Sequence, residues 1–151
     1  MALTPAKIMQ LVEDVSSLVV RALATSINLN LLRDPKTGVG TPVDTWFART
    51  NWVTSILSPY AGVAGKKIYT PGRAKGQKAA GIDDGPLRDG IKSLDNHKFP
   101  QTVYITNNVD YVVDLNNGSS PQAAPDFVVR AIEKAIFKDL KKELRQRVKT
   151  L

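Results

Sequence analysis

The sequence holds few of the side chains that commonly catalyse reactions or bind transition metals. It has no cysteine and one histidine, His97. Disulfides, thiolate zinc sites and cysteine nucleophiles are therefore excluded, as are metal sites that need several histidines. His97 stands between Asn96 and Lys98, so we expect it to be a solvated surface residue, and a lone histidine without a paired nucleophile argues against acid–base catalysis. We predict that the protein is not an enzyme.

Acidic residues cluster at Asp83, Asp84 and Asp89, around Gly85 and Pro86, and carboxylate oxygens are ligands that suit divalent cations. The spacing of these aspartates matches no calcium-binding loop. Aspartates just before a proline that starts a helix more commonly cap that helix and interact with its dipole. We assign them this structural role and expect no metal site.

Two glycine-containing segments have parts of phosphate-binding loops. Near Gly65-Lys66, a Walker loop needs glycine where Tyr60 stands and serine or threonine where Lys67 stands. The segment GVG at 38–40 begins like a dinucleotide-binding fingerprint, but it follows a predicted helix rather than a strand, and Val43 occupies the last glycine position. We therefore predict no bound nucleotide and no other cofactor.

The glycine-rich stretch from Ala61 to Gly85 is predicted to be a mobile basic loop. Its candidate contacts with a partner are Lys66, Lys67, Tyr69, Arg73, Lys75 and Lys78. Phosphate pairing and ring stacking would let such a loop hold a nucleic acid. Charged glycine-rich loops are also commonly solvated, or fold only against a protein partner, and the residues leave both interpretations open. The net charge of +7 favours acidic partners without identifying one.

A long helix is predicted from Pro5 to Leu32. Thr4 supplies an N-cap hydroxyl, Pro5 suits the first helical position, and apolar residues recur at helical spacing at Ile8, Val12, Val15, Val19, Leu23 and Ile27. At 1.5 Å per residue this helix is about 42 Å long. A compact chain of this size has a diameter of roughly 40 Å, so the helix is as long as the whole domain.

The rest of the chain is predicted to contain two short strands and several helices. The strands are 51–58 and 102–106, where alternation or β-branched and aromatic content is typical of a sheet. Short helices are expected near Phe47, over 86–95 and in YVVDLNNG, with Gly118 just past the end of the last of these. The final helix is expected over 126–150, where basic residues surround the apolar stripe Val128, Ile132, Ala135, Ile136, Leu140, Leu144, Val148 and Leu151.

These elements predict an α+β fold in one domain over residues 1–151. A small antiparallel sheet is packed with the long N-terminal and C-terminal helices, and the loop at about 61–85 extends from it. No apolar run approaches the roughly 20 residues that span a bilayer, and the acidic residues Glu13 and Asp14 argue against a signal peptide. We therefore expect no membrane association.

Three segments resemble the tailed-bacteriophage neck and tail-completion proteins, the small head-to-tail joining family. TPVDTWFARTNW (41–52) is similar to the family's TPVDTG-x-A-x-x-NW segment. VYITNNVDYVVDLNNGSS (103–120) is similar to its VYI-x-NN-x-x-Y-x-x-x-L-x-x-G segment, and PDFVVRAIEKAI (125–136) to the start of its last helix. The matched segments agree in order and spacing. The sequence departs from the family where Trp46 replaces a glycine after Asp-Thr, because tryptophan does not readily adopt a positive φ.

The resemblance implies a structural virion protein that is assembled in the host bacterial cytoplasm. Such proteins form a ring, a hexamer by the resemblance, in the neck between the capsid portal or adaptor and the tail, where they contact other neck and tail proteins and DNA passes through the ring. The motif residues are Asp44, Asn51, Trp52, Tyr104, Asn107, Tyr111, Leu115 and Gly118, and we expect them to maintain the fold through capping, turns and aromatic packing. The alternative is a basic nucleic-acid-binding domain that uses the loop and the last helix.

Overall fold

The computed structural model describes residues 4–42, 47–64 and 85–148. It is an α+β structure that consists of a two-stranded antiparallel sheet, short helices, a long helix near the N-terminus and a second long helix near the C-terminus. The predicted fold class is confirmed in these respects. The predicted basic loop falls outside the described residues, apart from 61–64 and Gly85, and so do its candidate contact residues Lys66, Lys67, Tyr69, Arg73, Lys75 and Lys78.

Helix α1 runs from Pro5 to Leu31, with the start that the sequence predicts. The Thr4 hydroxyl accepts a hydrogen bond from the Lys7 amide at 3.4 Å, which satisfies one of the free N–H groups of the first turn. Leu32 is the C-cap residue, and its amide donates to the Asn28 carbonyl. A 3₁₀ turn, Pro35–Thr37, follows, and Gly38 ends it at a φ of +79°, a conformation that glycine adopts without strain.

The two halves of α1 lie in different surroundings. Residues 4–15 are all exposed, whereas most of the second half is buried or half-buried. The buried side chains of the second half are unusually polar, and include Ser17, Thr25, Ser26, Asn28 and Asn30. Two of these asparagines bond across the interior: Asn28 Nδ2 donates to Thr54 Oγ1 at 2.6 Å, and Asn30 Nδ2 donates to the Ala131 carbonyl at 3.2 Å. The second half of α1 is thereby tied to the sheet and to the C-terminal helix.

The sheet consists of β1 (Val53–Ile56) and β2 (Val103–Thr106), paired with Val53 opposite Thr106 and Ile56 opposite Val103. Helix α2 (Phe47–Thr50) precedes β1, and helix α3 (Gly85–Ser93) packs on β1. A Cβ at Gly90 would lie 2.9 Å from the Thr54 amide nitrogen, so glycine permits the close approach of α3 to β1. Helix α4 (Val112–Asn116) follows β2.

The C-terminal helix comprises α5 (Phe127–Lys134), a π-helical turn over Ala135–Asp139, and α6 (Leu140–Val148). Its predicted apolar stripe is partly wrong. Ile132 and Ile136 are exposed, whereas Ala135 of the predicted stripe is buried, as are Phe127 and Ala131 outside it. The small alanine side chains allow a close approach of α1, and the Asn30 amide donates to the Ala131 carbonyl at 3.2 Å. The larger isoleucines are left on the outside.

The core lies between the end of α1, the start of β1 and the start of α5. Its buried residues are Leu31, Val39, Trp52, Phe127 and Ala131, and partly buried apolar side chains from α1, α3, β2 and α4 pack around them. Within the described part of the chain, none of the helices has the length and apolar character that crossing a membrane requires.

Candidate functional site

The first family-like segment is anchored to α1 through Trp52. The buried indole Nε1 donates to Thr41 Oγ1 at 2.8 Å, and that hydroxyl donates to the Leu31 carbonyl at 2.9 Å. The Thr41 amide donates to the same carbonyl at 2.9 Å. Trp52 therefore contributes both core volume and a hydrogen-bond chain to the end of α1.

One asparagine braces the first family-like segment internally, and another joins that segment to the second. Asn51 Nδ2 donates to the Phe47 carbonyl at 2.6 Å, which ties the end of α2 to its start. Asn107 Nδ2 donates to the Ala48 carbonyl at 2.6 Å, while its Oδ1 accepts from the Val109 amide at 3.2 Å. The second contact of Asn107 is the Asx turn that the sequence predicts. The first is a long-range bond that the sequence does not reveal.

Asn108 also forms long-range hydrogen bonds, rather than bonds within its own turn. Its Nδ2 donates to the carbonyls of Tyr60 and Gly62, at 2.6 and 2.9 Å. These bonds hold the chain that leaves β1 against the chain that leaves β2. The two asparagines of the NN pair therefore fasten different segments, one before β1 and one after it.

The second and third family-like segments meet at Asn116. Its carbonyl accepts from the Asp126 amide at 2.7 Å, and its Oδ1 accepts from the Val128 amide at 3.1 Å, in the first turn of α5. Gly118 has a φ of +94°, and its amide donates to the Leu115 carbonyl at 3.2 Å, as expected for a glycine past a helix end. Sequence reasoning missed Asn116, because an Asn-Asn-Gly run indicates a turn and not a cap on another helix.

The remaining predicted motif residues have different surroundings. Leu115 packs against the core, and Tyr111, four positions earlier in the sequence, is half-buried. Tyr104 is paired with Ser55 on the sheet and is half-buried, outside the core cluster of the described residues that contains Trp52. Asp44 lies outside the described residues.

The prediction that His97 is solvated is wrong, because its exposed fraction is 0%. The Arg21 guanidinium donates to the His97 carbonyl at 2.6 Å, and the ring Nε2 lies 2.8 Å from the Gln101 carbonyl. The Phe99 amide donates to Ser17 Oγ at 2.8 Å. Contacts from the middle of α1 thus hold the polar turn against the protein body.

The exposed first half of α1 is the first surface of interest, and we call it the α1 arm (residues 5–15). Its apolar stripe is about half exposed: Ile8 to 47%, Val12 to 52% and Val15 to 50%. Met9 and Leu11 beside the stripe are exposed to a similar degree. A contiguous apolar face of this kind on a soluble protein commonly marks an interaction site.

The second surface is an open groove of about 390 Å³, which we call the basic groove. It is lined by Thr37, Gly38, Val39, Arg130, Glu133, Lys134, Phe137 and Lys138. Partial burial, together with the neighbouring positive charges of Arg33 and Lys138, lowers the pKa of Lys134. The groove therefore contains crowded positive charge beside an aromatic ring, Phe137, that is 81% exposed.

A π-helical turn contributes Phe137 and Lys138 to this groove. The Leu140 amide donates to the Ala135 carbonyl five residues earlier, which inserts one residue into the helix. On the inner side, Asp139 Oδ2 accepts from Asn30 Nδ2 at 3.0 Å and lies 4.0 Å from Arg33. On the outer side, Phe137 points into solvent. The sequence predicts only that basic residues surround the apolar stripe of this helix, and it does not indicate the groove.

Among the residues that the structure describes, no group of three or more histidine or acidic side chains is placed to hold a metal ion. The two surfaces consist of apolar and cationic side chains suited to binding a partner. No family model, curated protein or solved structure matches the chain.

Proposed function

We propose that the protein is a structural virion protein of a tailed bacteriophage, which forms a ring in the neck and joins the capsid portal or adaptor to the tail. The observation that carries this proposal is the α1 arm, whose apolar stripe faces solvent in the single chain. In an assembly, neighbouring subunits would cover such a stripe and bury its apolar side chains. We assign the protein no catalytic activity.

The surroundings of the family-like segments support the proposal. Hydrogen bonds from Thr41 and Asn107 join the first segment to α1 and to the second segment, and Asn116 joins the second segment to α5. Residues scattered over the sequence thus build one framework. This framework fixes the second half of α1 and leaves the arm free to contact other subunits.

The test of this function is particle assembly in the phage that encodes the protein. We expect loss of the gene to leave filled heads and complete tails unjoined in electron micrographs. Val12→Glu with Val15→Glu should have the same effect, because each change puts a charge on the apolar stripe. Ala6→Glu with Lys7→Gln lowers the net charge by the same two units at exposed positions off the stripe and should preserve joining.

Circular dichroism separates a failure of assembly from a failure to fold. The arm side chains contribute little to the core, so both double variants should keep the wild-type helical signal. Joined, infectious particles in the absence of the protein would refute the proposed function.

A second candidate function, nucleic-acid binding, is favoured by the basic groove and by the exposed cations Lys141, Lys142 and Arg145 beyond it. Its signature is the salt dependence of binding to duplex DNA. If several phosphates are neutralised, affinity should fall by about a thousandfold or more between 50 and 200 mM salt. Assembly held by apolar burial should not weaken in this way.

A further inference from the structure

We propose that the basic groove binds a single strand of nucleic acid, with its phosphates on the cations of the C-terminal helix and one unpaired base stacked on Phe137. This inference rests on the second candidate function, nucleic-acid binding. It adds to that function the form of the nucleic acid and the residues that contact each part of it. It does not depend on the proposed role in the phage neck.

The cations and the ring line the same groove because they lie on one side of the C-terminal helix. Arg130, Lys134 and Lys138 follow one another at four-residue intervals, about one turn apart, and form a row about 12 Å long. Phe137 comes three positions after Lys134 and seven after Arg130, so its ring borders the row. The exposed Ile136, next to Phe137 in the sequence, does not line the groove.

Positive charge exceeds negative charge in the groove. Partial burial, together with the positive charges of Arg33 and Lys138, lowers the pKa of Lys134, although the carboxylate of Asp139 opposes this effect. Among the described residues that line the groove, Glu133 is the one acidic side chain. A phosphate placed among these cations would relieve their mutual repulsion, so the groove is complementary in charge to a nucleic-acid backbone.

Phe137 supplies a second kind of contact. Its exposed fraction of 81% is the highest of any large apolar side chain in the described part of the chain. Bases stack on exposed aromatic side chains, and this contact does not depend on the base sequence. A nucleic-acid strand carries flat bases and phosphates at regular intervals, so it meets both the ring and the row of cations. An acidic peptide would offer carboxylates to the cations, but no regular series of flat rings.

The size of the groove and the position of the ring favour a single strand over a duplex. The volume of about 390 Å³ is that of a small-ligand site, which accommodates one or two nucleotides of a strand that continues outside it. In a duplex the faces of the bases are stacked on one another, so Phe137 has no free base to contact. Strands with unpaired bases are the nucleic acids that aromatic side chains bind by stacking.

Fluorescence anisotropy with a labelled oligothymidylate of about 20 nucleotides tests the stacking. Phe137→Ala should weaken binding by about fivefold to a hundredfold. It should leave the affinities for a blunt duplex and for an abasic strand of the same length unchanged, because neither offers a free base. Ile136→Ala is the matched control and should bind like the wild type. Both side chains are exposed, so both variants should keep the wild-type circular dichroism and melting temperature.

The salt dependence of the same binding tests the phosphate contacts. In a plot of log affinity against log salt concentration, Arg130→Gln and Lys138→Gln should each reduce the slope by about 0.7. Phe137→Ala should leave the slope unchanged, because a ring displaces no counterions from the strand. Lys7→Gln is the control for charge: Lys7 is an exposed cation near the opposite end of α1 from Arg33, and the slope should not change.

The outcomes separate this inference from the functions already proposed. Wild-type affinity of Phe137→Ala for the strand, or an equal loss for the duplex and the abasic strand, overturns it while leaving nucleic-acid binding in place. Tighter binding of polyglutamate than of the oligonucleotide also overturns it and assigns the groove to an acidic protein. Absence of nucleic-acid binding at low salt overturns both this inference and the second candidate function. Oligouridylate in the same assay distinguishes RNA from DNA as the source of the strand, and head-to-tail joining without the gene decides the neck function independently.

Discussion

The hydrogen-bond chain from Trp52 through Thr41 to Leu31 predicts a measurable cost for the loss of one hydroxyl. Thr41→Val keeps the shape of the side chain but removes the acceptor of the buried indole N–H and the donor to the Leu31 carbonyl. An unpaired buried N–H costs about 1–3 kcal/mol. The Leu31 carbonyl keeps its hydrogen bond from the Thr41 amide, so losing the hydroxyl donor costs less, about 0.5–1 kcal/mol of stability. We expect about 2 kcal/mol of destabilisation in all.

Urea unfolding followed by circular dichroism measures this cost. Thr37→Val is the matched control, because the Thr37 hydroxyl also donates to a carbonyl, that of Asp34 at 2.7 Å, but it is exposed. Its free energy of unfolding should change by less than about 0.5 kcal/mol.

A double-mutant cycle then isolates the bond between the two side chains. In the Trp52→Phe background the donor is already absent, so Thr41→Val should cost about 1 kcal/mol less than in the wild type. Equal destabilisation by Thr41→Val and Thr37→Val, or a cycle with no coupling, would show that the indole bond does not contribute to the stability of this core.

Three further predictions concern stability, and equilibrium denaturation measures each of them. His97→Ala should destabilise the fold by about 2–4 kcal/mol, because it leaves a cavity and an unpaired Gln101 carbonyl; a change below about 0.5 kcal/mol would contradict the burial of the ring. Asn116→Ala should cost about 1 kcal/mol through loss of its bond to α5, and Asn117→Ala, at an exposed neighbour, much less. Gly40→Ala should cost more than Gly38→Ala, because a Cβ at residue 40 would overlap a backbone carbonyl and one at residue 38 meets open space despite its positive φ.

Local signals in the sequence predict the ends of the elements well. The Thr4-Pro5 pair begins α1 at the expected residue, and Gly118 takes the left-handed conformation expected after a short helix. The two predicted strands are present, although β1 is shorter than expected and ends before Leu57, whose φ is +77°. Caps, prolines and glycines act within a few residues, so their effects are visible in the sequence itself.

Contacts between distant residues explain what sequence reasoning missed. Arg21, 76 positions earlier in the chain, donates to the carbonyl of the buried His97, and no local pattern indicates that contact. The apolar period of the last helix favours the isoleucines as its inner face. Phe127, Ala131 and Ala135 instead form the buried side, and the Asn30 amide bonds to the Ala131 carbonyl there. The basic groove could not be predicted from helical spacing alone, because Thr37, Gly38 and Val39, from a distant part of the chain, line it as well.

The polar interior of α1 connects the framework to the exposed arm. Asn28 and Asn30 each donate to partners in the sheet or the C-terminal helix, yet their Oδ1 atoms have no hydrogen-bond partner among the described residues. Each unpaired oxygen costs free energy, which offsets part of the stability that the donated bonds contribute. The asparagines fix the position of α1, because their hydrogen bonds form only at one rotation of the helix about its axis and at one position along that axis. Since a helix is stiff over its length, fixing the second half of α1 also fixes where the arm points.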